Sequence, residues 1–168
     1  DILSSVDEAI QKTDQIIQKS EELKSGLMNE LLTKGICHKK FKKTKLGEIP
    51  EEWSVYTIQE LIDNHFIDSN QDGNHGELHP KGSDFMKDGV PFLTATDIRN
   101  SIIEFKNCKH ISQEQAKNLR VGNAKNGDVL LTHKGTIGQV AILETNKYSK
   151  IMLSPQVTYF RIKGAKIN

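Results

Sequence analysis

The sequence predicts an α+β protein in which a long N-terminal coiled-coil-type helix precedes a small, strand-rich α/β domain. Three observations carry that expectation. Apolar residues recur close to heptad spacing from Ile2 to Thr33, with no Pro among them. A lysine-rich stretch ending in Gly47-Glu48-Ile49-Pro50 then breaks the pattern. Beyond it, short runs rich in β-branched residues alternate with turn formers, and helical patterns are brief. The expected divisions are a helix over 1–34, a basic linker over 35–46 and a domain over 47–168.

The helix presents Leu3, Val6, Ile10, Ile17, Leu27 and Leu31 on one seam, widened by Ile2, Ala9, Ile16 and Leu23. Thr13, Ser20 and Lys24 fall on the seam and weaken it. Gly26 costs about 1 kcal/mol relative to Ala, and Gly35 is a natural C-terminal stop. At 1.5 Å per residue such a helix is about 48 Å long, longer than the domain that follows is wide. Its stripe therefore needs a long partner, most simply another helix, so self-association is expected. The alternative is an ordinary amphipathic helix buried on the domain itself.

Six lysines between Lys34 and Lys45 make the linker basic, and Trp53 is expected to plug the base of the domain. Ser54 to Ile58 reads as a strand, with Thr57 capping a short helix through Leu61. Residues 68–84 (Asn70, Gln71, Asp72, Gly73, Asn74, His75, Gly76 and on to Gly82) read as a long irregular loop, a kind of segment that is often functional. Val90 to Thr96 is a predicted strand, Asp97 to Asn100 a turn, and Ile102 to Phe105 another strand. Ser112 caps a helix over Gln113 to Leu119. Asn126-Gly127-Asp128 feeds a hairpin of Val129–Thr132 and Ile137–Leu143 around a turn at His133-Lys134-Gly135-Thr136. Met152 to Ile162 supplies one or two more strands, broken at Ser154-Pro155-Gln156.

Composition narrows the class. With 36% apolar and 27% charged residues and no run of about 18 apolar residues, no membrane span is expected. The N-terminus lacks a basic-then-apolar signal, so a cytoplasmic location with free thiols is expected for Cys37 and Cys108. Cys37 and His38 are adjacent and have no spacing that makes a zinc site. The net charge of +1 hides a segregated distribution: −4 over residues 1–32, +5 over 33–50, −7 over 51–96 and +7 over 97–168. Such a chain can present a basic face despite its neutral total.

In this order the residues resemble the specificity subunit of type I restriction–modification systems. The stretch from Ile2-Leu3-Ser4-Ser5-Val6 through Leu27-Met28-Asn29-Glu30-Leu31-Leu32-Thr33 is similar to that family's spacer helix. Gly47-Glu48-Ile49-Pro50-Glu51-Glu52-Trp53 is similar to the lead into its target recognition domain. Val90-Pro91-Phe92-Leu93 with Thr96-Asp97-Ile98 resembles the domain's first strand, and Gly127-Asp128-Val129-Leu130-Leu131 with Lys134-Gly135-Thr136-Ile137-Gly138 resembles its most recognisable hairpin. Ser154-Pro155-Gln156 fits the next strand.

The resemblance implies a non-catalytic protein that reads one half of a bipartite site on double-stranded DNA. It also implies methyltransferase subunits and, through them, an endonuclease subunit as partners. Whole family members carry two recognition domains and two antiparallel helices. One of each here implies a fragment, or a half-length subunit that pairs as a homodimer. Base readout needs paired donors and acceptors that reach a groove. The first candidates are Asn70, Gln71, Asn74 and His75 of the 68–84 loop, taken as its most exposed side chains. His133, Lys134 and Thr136 come next, then Thr94, Thr96 and Arg99, with Gln156 near the last strand. Lys81 and Lys134 suit phosphate contacts, which position rather than specify. Gly135 and Gly138 suit a tight turn or a close approach to the duplex, and Asp97 and Asp128 suit bracing of turns. His65, His110 and Cys108 are read as structural.

Catalysis is not expected of this chain. Gly135-Thr136-Ile137-Gly138 lies in a hairpin rather than between a strand and a helix, so it is not a cofactor loop. Ser154-Pro155-Gln156-Val157 lacks the Pro-Pro-aromatic ending of a methyltransferase motif, and no P-loop occurs. Asp68, Asp72 and Glu77 with Lys81 have no spacing that defines a magnesium site. S-adenosylmethionine, ATP and Mg²⁺ are therefore expected only in partner subunits. The alternative function is a coiled-coil oligomerisation module whose domain binds protein, which the acidic first half of the domain favours.

Overall fold

A computed structural model describes residues 2–164; residues 165–168 of the expected domain lie outside the described residues. The chain divides into two compact units, one reaching to Val55 and the other starting at Tyr56.

In the first unit α1 spans Ile2–Lys34, as the heptad spacing predicts. Leu3, Val6, Ile10, Ile17, Leu27 and Leu31 are all exposed along it. The seam hydroxyls satisfy themselves: Thr13 donates to Ala9 O at 2.8 Å and Ser20 to Ile16 O at 2.7 Å. Gly35 ends the helix with φ 64°, its N–H donating to Leu31 O at 3.0 Å. A Cβ there would lie 2.5 Å from the His38 ring, so glycine is needed for space as well as for backbone conformation.

The expected linker is partly structured. β1 (Phe41–Thr44) and β2 (Gly47–Pro50) pair antiparallel, with Thr44 opposite Gly47. The Thr44 hydroxyl donates to Gly47 O at 2.8 Å and closes the turn. Trp53, expected at the base of the domain, falls within this first unit, where its ring meets the edge of His38 at 5.8 Å.

The second unit is layered. After α2 (Ile58–Asp63) come β3 (Ile67–Asp72), β4 (Val90–Leu93), β5 (Ile98–Arg99), β6 (Ile102–Ile103), β7 (Lys109–Ile111), α3 (Gln113–Asn118), β8 (Asn123–Ala124), β9 (Val129–Thr132), β10 (Val140–Ile142), β11 (Ile151–Leu153) and β12 (Val157–Ile162). One antiparallel sheet has the order β10-β9-β12-β3. A second has the order β7-β4-β11-β8, with β4 and β11 parallel, and β5 and β6 form a small separate pair.

β4 and β11 are buried along their whole lengths, which explains their unbroken apolar runs. Ile151, Leu153 and Leu93 face one core cluster with Leu130, Ala141, Val157 and Tyr159 of the first sheet. Met152, Val90 and Phe92 face another with Ile111 and with Ala116 and Leu119 of the α3 region. The layers are thus sheet, sheet and helix, and the far face of the first sheet is the one that this core leaves uncovered.

Several element bounds differ from expectation. Ser54 to Ile58 forms no strand; Thr57 caps α2 as expected, through a complete capping box with Glu60, whose carboxyl is held below its ordinary value by the Thr57 backbone N–H and hydroxyl. The strand from Val90 ends at Leu93, because the Asp97 carboxylate captures both the N–H and the hydroxyl of Thr94 at 2.7 Å and winds 95–97 into a 3₁₀ turn. The first third of the expected 68–84 loop is β3, an edge strand.

Candidate nucleic-acid interface

Register decides which polar side chains of β3 face outward. Across the first sheet Asp72 pairs with Thr158, Thr158 with Leu131, and Leu131 with Val140. The next row is Gln71, Tyr159, Leu130 and Ala141, and the next is Asn70, Phe160, Val129 and Ile142. Directly paired residues share a face and successive rows alternate. Leu130, Ala141 and Tyr159 are buried in the core, so Gln71 shares the inner face while Asn70 and Asp72 share the outer one. Gln71 is spent internally, its Oε1 accepting from the Gly122 N–H at 3.0 Å.

Past Asp72 the chain turns into the domain. Gly73 N–H donates to Val157 O at 2.9 Å and Asn74 N–H to Leu153 O at 3.0 Å. A Cβ on Gly73 would lie 1.9 Å from Ser154 O, a clash with backbone that only glycine avoids. This descent leaves Asn74 only 3% exposed, contrary to its expected place among the loop's most exposed side chains. His75, by contrast, returns to the surface.

Three expected segments meet beside this descent. The Thr94 and Thr96 hydroxyls are 2.9 Å apart. Gln156 Oε1 accepts from the Ala95 N–H at 3.4 Å, and Gln156 O accepts from the His133 N–H at 3.0 Å. Gln156 therefore ties the Thr94–Thr96 turn to the β9–β10 turn. The Asp72 carboxylate lies between His75 Nε2 at 3.9 Å and His133 Nε2 at 3.7 Å, and it accepts from the Thr158 hydroxyl at 2.5 Å.

The β9–β10 turn is tightly held. Buried Thr132 donates its hydroxyl to Thr136 O and accepts from the Gln139 N–H at 3.0 Å, and Gly138 N–H donates to Thr132 O at 2.9 Å. Gly135 and Gly138 adopt φ 76° and 83°, so the turn itself requires both. Gln139 Oε1 accepts from the Asn100 N–H at 3.1 Å, tying the turn to the β5–β6 loop beside exposed Arg99. Lys134 and Thr136 project from the turn into solvent, and Lys81 lies exposed before the Gly82–Asp84 turn. Asp97 and Asp128 brace turns, as expected. Buried Asp128 holds Lys125 N–H at 2.7 Å and a bidentate Arg161 at 2.9 and 2.7 Å, which raises the guanidinium pKa further above its ordinary value.

Asp72, Gln139 and Thr132 are the site residues that the sequence reading did not place at the interface. Asp72 meets Thr158 and His133 from distant parts of the chain and Gln139 reaches Asn100, whereas Thr132 acts within its own turn, on Thr136 and Gln139. Among the described residues no group of three His, Cys, Asp or Glu side chains is arranged to hold a metal ion. None of the described helices is long and apolar enough to cross a membrane.

No protein-family model matches the chain. Over 131 residues, 77% of the chain, it is 30% identical to the type I restriction enzyme MjaVIII specificity subunit of Methanocaldococcus jannaschii. It is 26% identical over 150 residues to the type I restriction enzyme EcoBI specificity subunit of Escherichia coli. The chain spans 28% and 30% of the lengths of these two relatives. Its fold is similar to the crystal structure of the HsdS subunit from Thermoanaerobacter tengcongensis, with a TM-score of 0.51 and 16% identity, covering 93% of this chain and 34% of that one. By sequence the chain belongs to the type I restriction enzyme specificity subunits, of whose length it spans less than a third.

Proposed function

We propose that this chain reads one half of a bipartite sequence on double-stranded DNA, as part of the specificity subunit of a type I restriction–modification complex. The observation that carries the reading is the 30% identity to a specificity subunit across 131 residues. The convergence of Thr94, Thr96, His133 and Gln156 with outward-facing Asn70 and His75 supports it, because these side chains offer the donors and acceptors that base edges require. Exposed Lys134, on the same turn as His133, and exposed Lys81 suit phosphate contacts, and exposed Arg99 stands with the base-reading candidates. In this reading the chain catalyses no step. Methyltransferase subunits, with S-adenosylmethionine, and an endonuclease subunit, with ATP and Mg²⁺, carry the chemistry. The stripe on α1 pairs with a second long helix, in another copy of the chain or another part of the same subunit.

Selection from random duplex DNA, on the chain alone and with a methyltransferase subunit, tests this. An enriched, defined sequence is expected, with log affinity falling against log salt at a slope of about −3 or steeper if three or more phosphates are held. No enrichment in either state, with salt-insensitive binding, would overturn it in favour of a protein-binding module.

A further inference from the structure

We propose that Asp72 is the positioning residue of this interface, acting through the imidazoles of His133 and His75 rather than through a DNA contact of its own. The inference rests on the DNA reading above and assigns a role to a residue which that reading does not use.

Three features single out Asp72. It is an acidic side chain on the outer face of an edge strand, beside groups suited to a polyanion. A carboxylate in that place repels phosphate unless it serves the groups around it. It is also fixed, because the Thr158 hydroxyl, one strand across, donates to its Oδ1 at 2.5 Å. Finally, His133 Nε2 is buried and makes no hydrogen bond, although Asp72 Oδ1 is 3.7 Å away. At that distance no hydrogen bond is made, and an unmet buried ring nitrogen is costly. A closure of under 1 Å completes the bond. Once Nε2–H donates to Asp72, the tautomer of a neutral His133 is set and Nδ1 becomes an acceptor. An acceptor held at that ring edge suits an exocyclic amino group, the N6 of adenine or the N4 of cytosine. His75 Nε2 lies on the solvent side, 3.9 Å from the other carboxylate oxygen. Asp72 thus couples the β3 exit to the β9–β10 turn, two segments 61 residues apart.

The test compares the full chain with Asp72→Ala, Asp72→Asn, His133→Ala and the Asp72→Ala/His133→Ala double variant, each titrated with the selected duplex and with a scrambled one. Asp72→Ala is expected to lower the selected-to-scrambled affinity ratio about tenfold, the scale of one lost base contact, while scrambled-duplex binding is unchanged or tighter. His133→Ala should lose the same ratio, and the double variant no more than either single change. Asp72→Asn keeps an acceptor oxygen for Thr158 and should retain most of the discrimination. The ¹⁵N shifts of the His133 ring should move in Asp72→Ala. A preserved ratio in Asp72→Ala, an equal loss on both duplexes, or an unmoved His133 ring would overturn the proposal while leaving the DNA reading intact. A wild-type chain with no preferred duplex overturns both.

Discussion

Asn70 and Gln71 are neighbours with opposite duties, because the pleat of an edge strand turns successive side chains to opposite faces. Gln71→Ala removes the acceptor that holds the Gly122 N–H and is expected to destabilise the second unit by about 1–3 kcal/mol in denaturant titrations without altering the sequence selected. Asn70→Ala should do the reverse, leaving stability within about 0.5 kcal/mol and changing the base preferred at one position of the selected site. Cys108 makes a different residue-scale statement. Burial, with the Asp97 carboxylate adding to it, pushes its thiol up to about 11 from 9.0. Because the folded value is the higher one, the neutral thiol's contribution to stability is whole below pH 9 and is lost as the pH rises from 9 to 11. Alkylation at pH 8 should therefore modify exposed Cys37 and spare Cys108, and urea midpoints should fall across that alkaline window. At this scale the sequence was most legible where a side chain serves its own turn. Asp97, Asp128, Thr57 and Ser112 act within three residues of themselves, in turns and caps that local spacing reveals. Asp72 and Asn74 were not legible, because their surroundings come from β9, β11 and β12, at least 55 residues further along the chain.

Among the elements, α1 followed from its heptad spacing almost to the residue. The β1–β2 hairpin did not, since Phe41-Lys42-Lys43-Thr44 has no apolar alternation and owes its pairing to the Thr44–Gly47 turn. The polar run from Asp68 to Asp72 likewise carries no period-2 signal, and it is a strand because β12 offers it an edge. The stripe on α1 leaves Ile10 and Ile17 55% and 52% exposed, on a helix about 50 Å long. Long apolar seams of this kind are met by a second helix. Changing Ile10 and Ile17 together to Asp should therefore reduce the mass measured by light scattering to that of a monomer, while far-ultraviolet ellipticity of the second unit's strands persists. A mass unaffected by the change would show that the stripe is not the contact.

At the scale of the whole chain, the layered order of the second unit was the least legible feature. The parallel β4–β11 pair joins Phe92 to Met152 and Leu93 to Leu153 across 60 residues, and no local pattern predicts such a register. What the sequence did convey was the class: a long helix, then short strands, with basic and acidic blocks kept apart along the chain.

The division between Val55 and Tyr56 also sorts the chromophores. Trp53, the single tryptophan, sits against His38 in the first unit, whereas Tyr56, Tyr148 and Tyr159, the three tyrosines, all fall in the second. Indole emission, excited at the red edge where phenols do not absorb, therefore originates in the first unit, and every phenol lies in the second. An unlabelled chain thus carries an emission probe confined to its first unit, and a change in that emission on mixing reports an event that reaches the surroundings of Trp53.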